Sequence, residues 1–316
     1  MLQSFSKYFL IALFFLTIIT SCQKKITLNI TQILVDTISR QNFQDILFLN
    51  KDTLLIVGGV RYTNGQMITS FDGGATWHLK DTISKWIISG IAMQNKTIYA
   101  TGVTGKIFQS NNFGNSWTNH QTPEWSDLER IIAPSDSVLI AIGSSGFVQR
   151  SNNGIWHSDN LKRQLNAITF TSANIGYIAG YGAIYKTKNA GRSWEILDAK
   201  GDNFCGLYFF DDVNGFAIGR EGTILETSNG GKTWRMHRNG NNILNATWQF
   251  NDIVFTDVST GYICGANGLL LNSTDGGSSW KKADYFSDLT VRKLYSYDKK
   301  NVWMVGDGGS VFKIEQ

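Results

Sequence analysis

One short pattern of apolar and polar positions recurs seven times along the chain: an apolar residue, two variable positions, then Ile or Leu. The copies are Phe43 to Ile46, Ile88 to Ile91, Leu128 to Ile131, Leu165 to Ile168, Phe204 to Leu207, Phe250 to Ile253 and Val291 to Leu294. Each copy is followed by an apolar hairpin with glycines at the turn, such as Tyr99 to Phe108 and Phe216 to Leu225. Short apolar runs broken by glycine predict strands and tight hairpins. Six of the seven hairpins lead into a turn-like phrase that ends in Trp. The tryptophans Trp77, Trp117, Trp156, Trp194, Trp234 and Trp280 lie 40, 39, 38, 40 and 46 residues apart.

Five of those phrases are complete octets. They set Ser or Thr first, Asp or Asn third, Gly fifth and Ser or Thr seventh, as in Ser70, Asp72, Gly74, Thr76 and Trp77. The other Asp/Asn and Trp pairs are Asn112 with Trp117, Asn189 with Trp194, Asn229 with Trp234, and Asp275 with Trp280; residues 151–156 are a shortened copy. Asp or Asn can bind backbone N–H groups ahead of it, Gly accepts positive φ, and Trp anchors the next strand by burying a large surface. A calcium loop uses similar residues, but no octet carries the acidic ligand series that calcium needs.

The repeat therefore predicts four strands per unit: an inner strand, a hairpin of two, and an outer strand that starts at the octet Trp. Seven units but only six turn phrases leave one outer strand missing. The strand-like residues 26–35 are expected to supply it by pairing with residues 311–314, which joins the two ends of the chain. About 42 residues per unit fits four-stranded propeller blades, whose period is roughly 40–50. The prediction is an all-β, seven-bladed β-propeller, one domain over residues 22–316, whose blades cannot bury their faces alone.

Composition narrows the function. The chain has 316 residues, 42% hydrophobic and 17% charged, with a net charge of +4. That excludes a disordered chain and a nucleic-acid binder working by bulk electrostatics. Three cysteines exclude a disulfide framework. Residues 1–21 combine a lone Lys7, an apolar run and small residues before Cys22, a secretory leader. The run is too short for a membrane span of ~20 residues. Cys22 after Thr20 and Ser21 resembles a bacterial lipobox, which implies a lipidated first residue and attachment to the cell envelope. Gln23 is not the Asp of inner-membrane retention, so the expected location is the outer membrane facing the periplasm. Cys205 and Cys264 sit in apolar strands and are expected to be free buried thiols.

A binding site is expected on the face formed by hairpin tips and outer-to-inner connections, here called the top; the octets lie opposite. The variable inner-strand positions supply Asp45, Glu129, Arg130, Asp252, Arg292 and Lys293. The hairpin tips supply Arg61, Tyr181, Arg220 and Glu221, and the connections supply Trp125 and Trp248. Arg with Trp or Tyr is a composition of recognition surfaces. His78, His120, His157 and His237 all follow octet tryptophans in different units, too far apart for shared metal ligation. No nucleophile elbow, phosphate loop or dinucleotide fingerprint occurs, and neither metal nor cofactor is expected. The rival reading is a glycan-active hydrolase with Asp45 and Asp252 as its acid pair.

The octets resemble the Asp-box of sialidase-like propellers. No Arg-Ile-Pro phrase stands near the first unit, where the sialidase resemblance requires one. With the secretory leader and the hairpin Gly219-Arg220-Glu221-Gly222, the repeats over residues 40–316 resemble the photosystem II stability/assembly factor family. That resemblance implies a non-catalytic scaffold that binds a newly made membrane protein, and the chain is expected to be a monomer. It also implies an arginine cluster that docks the client, with Arg130, Arg220, Arg292 and Lys293 as counterparts by position.

Overall fold

Alternating apolar runs separated by glycine turns become seven antiparallel four-stranded sheets in the computed structural model, which describes residues 27–33, 40–80, 82–244, 247–298 and 300–315. Blade 1 is Asn42–Phe48, Leu54–Val60, Asn64–Ser70 and His78–Leu79; blades 2 to 6 repeat this order along the chain. The inner strand of each blade touches the inner strands of both neighbours, so the seven form a closed ring.

Blade 7 carries the closure. Val291–Tyr295, Asn301–Gly306 and Val311–Glu315 are completed by Asn29–Ile33 from the other end of the chain. The register runs from Asn29 opposite Glu315 to Ile33 opposite Val311. Neighbouring side chains on a strand point to opposite faces. Leu28 and Ile30 accordingly pack with Tyr262, Val291 and Met304, while Ile33 packs with Phe48 and Trp303. One strand thus fastens blade 7 to both its neighbours. Residues 1–21, Cys22 and the flanks of this strand at 26, 34 and 35 lie outside the described residues.

Second strands such as Gly215–Gly219 are buried along their whole length, because both faces of a blade are covered by adjacent blades. The cores lie between blades: Val57 and Met67 of blade 1 pack with Ile88, Ile91 and Ile98 of blade 2. The octets wedge these layers. Thr76 N–H and hydroxyl donate to the Asp72 carboxylate at 2.8 and 2.6 Å, and Gly74 N–H donates to Ser70 Oγ at 2.8 Å. Those bonds, led by the Thr76 hydroxyl, hold the Asp72 carboxyl down at about 2. The same geometry recurs around Asn112, Asn189, Asn229 and Asp275. Gly74 has φ +91°, and a Cβ there would collide with the Trp303 ring of the preceding blade.

The outer strands start one residue after the octet Trp, for example at Thr118 and Glu195. Blade 3, with the shortened phrase, differs. Asn153 and Gly154 both take positive φ, the geometry of a tight type I′ hairpin, and Ile155–Asn160 becomes a full six-residue outer strand.

Candidate binding face

Every inner strand carries a β-bulge at the first of its two variable positions; the pairing shifts between Phe43 and Asp45, Leu128 and Arg130, and Val291 and Lys293, and likewise in the other four blades. A bulge re-aims a side chain, and here it turns the first position away from the axis. Asn166 and Asn251 use that direction to donate Nδ2 to the carbonyls of Phe204 and Val291 in the next blade, each at 2.8 Å. Cys205 donates Sγ–H to Phe250 O at 3.2 Å. Arg292 donates Nε to Asp307 Oδ1 of its own hairpin tip at 2.5 Å. Glu129 occupies the corresponding position in blade 3 and is half-buried.

The second variable positions face the axis. Asp45, Arg130, Asp252 and Lys293 line a central cavity of about 480 Å³. No residue from the first variable position lines it; the wall continues through residues such as Leu47, Met93 and Ser296 at the far ends of the inner strands. The cavity therefore extends from the charged ring toward the octet face.

These four charges also hold blades together. Asp45 accepts Ile46 N–H at 3.0 Å and Ile91 N–H of blade 2 at 3.1 Å. Asp252 accepts Leu294 N–H of blade 7 at 2.9 Å and pairs with Lys293 Nζ at 3.0 Å. Arg130 donates to Glu129 O at 2.8 Å and to Ser89 O of blade 2 at 3.2 Å. Burial pushes the Asp45 carboxyl up, against the pull of Lys293 and Arg130.

Hairpin tips and connections form a different surface. Trp125 is 66% exposed and Tyr181 62%; Arg220 and Glu221 are exposed on the hairpin tip of blade 5. Trp125 has φ +53°, a conformation bulky residues rarely adopt unless their surroundings impose it. Arg61 donates to Asp127 at 2.7 Å and lies over the Tyr62 ring, whose edge meets Trp86. Trp248 is half-buried, packed on the blade 5–6 core with the Arg238 guanidinium 4.3 Å above its ring.

Two residues that brace this surface escaped the sequence reading. Asp127 accepts Thr104 N–H of blade 2 at 3.1 Å as well as Arg61, tying three blades together. Buried Asp202 accepts Glu221 N–H at 3.1 Å and Thr223 N–H at 3.2 Å, fixing the tip that presents Arg220. The available signal was an acid one or two places before the inner-strand unit. The same face exposes Ile243, Leu244 and Tyr285, which no repeat pattern marks.

The four histidines stand on the outer strands of blades 1, 2, 3 and 5. Among the described residues no group of three or more His, Cys, Asp or Glu could hold a metal. Cys205 and Cys264 are buried free thiols, and burial pushes Cys205 up to about 12.

Comparison with known proteins agrees with this architecture. Residues 196–316 match the family described as photosynthesis system II assembly factor YCF48. No curated protein sequence matches the chain. A structure of YCF48 bound to a D1 peptide is 16% identical, with a TM-score of 0.73 over 92% of this chain and 96% of that one. YCF48 from Cyanidioschyzon merolae is 14% identical, with a TM-score of 0.74 over 90% and 98%. Virginiamycin B lyase from Staphylococcus aureus shares the fold at 11% identity, with a TM-score of 0.75 over 92% and 99%. The sequence likeness to that family spans the last three blades, and the seven-bladed fold of the YCF48 structures is shared around the whole ring.

Proposed function

We propose that this propeller is a non-catalytic scaffold that binds a protein partner across its top face. The observation that carries the reading is the rigid rim: Trp125, Tyr181, Arg61 and Arg220 project from turns that Asp127 and Asp202 brace. Aromatic and arginine side chains on preorganised turns lose little entropy on binding and form the centres of protein interfaces. A YCF48 structure holding a D1 peptide supports a peptide or protein partner for a propeller of this type. The lipobox-like Cys22 adds the place of action. The chain is a monomer tethered by a lipidated Cys22 to the outer membrane, facing the periplasm, where it assists assembly or stability of an envelope or membrane protein complex.

The hydrolase reading has less support. Asp45 and Asp252 share the cavity, but each is held by the backbone of the next blade, and Asp252 also by Lys293. Affinity capture from membranes with wild-type protein and a Trp125→Ala/Tyr181→Ala/Arg220→Glu variant tests the proposal. One membrane protein should co-purify with wild type and be lost from the variant, whose melting temperature should be unchanged. Equal recovery by both overturns the top-face site. Sugar release by wild type that disappears in Asp252→Asn decides for a hydrolase.

A further inference from the structure

Blade 3 lacks a full octet, and two adjoining cavities of about 460 and 530 Å³ open between its outer half and the octet of blade 4. Both are lined by Arg150, Asn152 and Arg192. Arg150 is only 8% exposed. Its Nε donates to Ala190 O of blade 4 at 2.7 Å, and among the described residues neither Nη has a hydrogen-bond partner. Arg192, on the octet itself, is exposed, and among the described residues its guanidinium has no partner.

The same place in the next blade shows what a purely structural cation looks like there. Lys186 precedes its octet Thr187 as Arg150 precedes Ser151, and its Nζ donates to Gly230 O of blade 5 at 3.1 Å. Lys186 then rests on the Tyr177 ring; burial and then Lys188 push its pKa down, and the negative charges of Asp212 and Glu195 offset part of that. Arg150 has the corresponding clasp but no such compensation; burial and then Arg192 both work against its charge. Asp159 lines one of the cavities two residues along from His157, and its Oδ1 accepts Asn160 N–H rather than either arginine. Lys188 at the other end is paired with Glu195. A guanidinium with one edge anchored and the other open into a cavity is positioned to make charge-assisted hydrogen bonds to an oxyanion.

We propose that the cleft between blades 3 and 4 is a binding site for a doubly charged tetrahedral oxyanion, held by the free edge of Arg150 and by Arg192. Two guanidiniums balance two negative charges, which favours a phosphate or sulfate group over a single carboxylate. The site lies on the side of the ring, away from the top-face rim, and does not depend on it.

Titration calorimetry of the full chain with inorganic phosphate, sulfate and acetate in matched chloride tests this. Wild type should bind one phosphate or sulfate per chain, and acetate should bind at least about tenfold more weakly. Arg192→Gln, an exposed change, should weaken phosphate by about tenfold or more, the scale of one lost charge-assisted contact. Arg150→Lys retains a cation able to reach Ala190 O, as Lys186 does for Gly230, but removes the fork; it should weaken phosphate at least as much. No saturable phosphate or sulfate binding by wild type overturns the site. So does equal phosphate affinity in wild type and Arg192→Gln, whether or not the Arg150 variant folds. Acetate binding as tight as phosphate overturns the preference for a dianion.

Discussion

Removing the apolar contacts of the closing strand should loosen the ring by a predictable amount. Ile30 and Ile33 are both half-buried. A fully buried Ile→Ala change costs about 2–5 kcal/mol; for half-buried residues, roughly half of that gives about 1–2.5 kcal/mol each. They face different interblade cores and lie about 10 Å apart along the strand, so their effects should nearly add. The Ile30→Ala/Ile33→Ala double variant is therefore expected to lose about 2–5 kcal/mol. Urea unfolding followed by tryptophan fluorescence would read this as a lower midpoint. Thr31→Ala, an exposed change on the same strand, is the control and should stay within about 0.5 kcal/mol of wild type. A double variant as stable as the control, with the same denaturant slope, would mean that residues 29–33 contribute nothing to the ring.

Trp77 is buried between blades 7 and 1 and donates its indole N–H to Gly74 O; Trp77→Ala should cost about 3–5 kcal/mol in the same assay. Acid should weaken the octets: the Asp72 carboxyl is held at about 2, below its unfolded value. Its stabilisation is present above about pH 4 and lost as pH falls through 2, so the acid unfolding midpoint should move in Asp72→Asn. Asp45 has the opposite sign, since its raised value means stability declines as pH rises through it; Asp45→Asn should flatten that decline in urea midpoints measured against pH. Cys205 and Cys264 should resist a thiol reagent at pH 8 in the folded protein and react at once in urea, because burial keeps them protonated.

Local chemistry explains what could be read from the sequence. The octets are self-contained: Asp72 binds Thr76 four residues away, so the phrase specifies its own turn wherever it stands. Asn153-Gly154 likewise announces the tight hairpin of blade 3. Ring closure was legible by counting strands, since seven inner strands and six octet phrases left one outer strand to find. The inner-strand bulge was not legible, because it arises from pairing with the second strand. It separates two adjacent variable positions into different roles: Asn251 clasps the next blade while Asp252 reaches the axis. Contacts between distant segments, such as Arg61 with Asp127, have no local signature. The partial burial of Trp248, unlike the exposure of Trp125, depends on distant segments, the blade 5–6 core and the Arg238 guanidinium.

The top-face claim is tested most directly by site-specific photocrosslinking in intact cells, with the crosslinking residue placed at Trp125, at Tyr181 and, on the octet face, at Phe113. One membrane-protein adduct is expected from Trp125 and Tyr181, and none of that mass from Phe113. An adduct formed only from Phe113, or no adduct from either top-face position, would contradict the top-face claim.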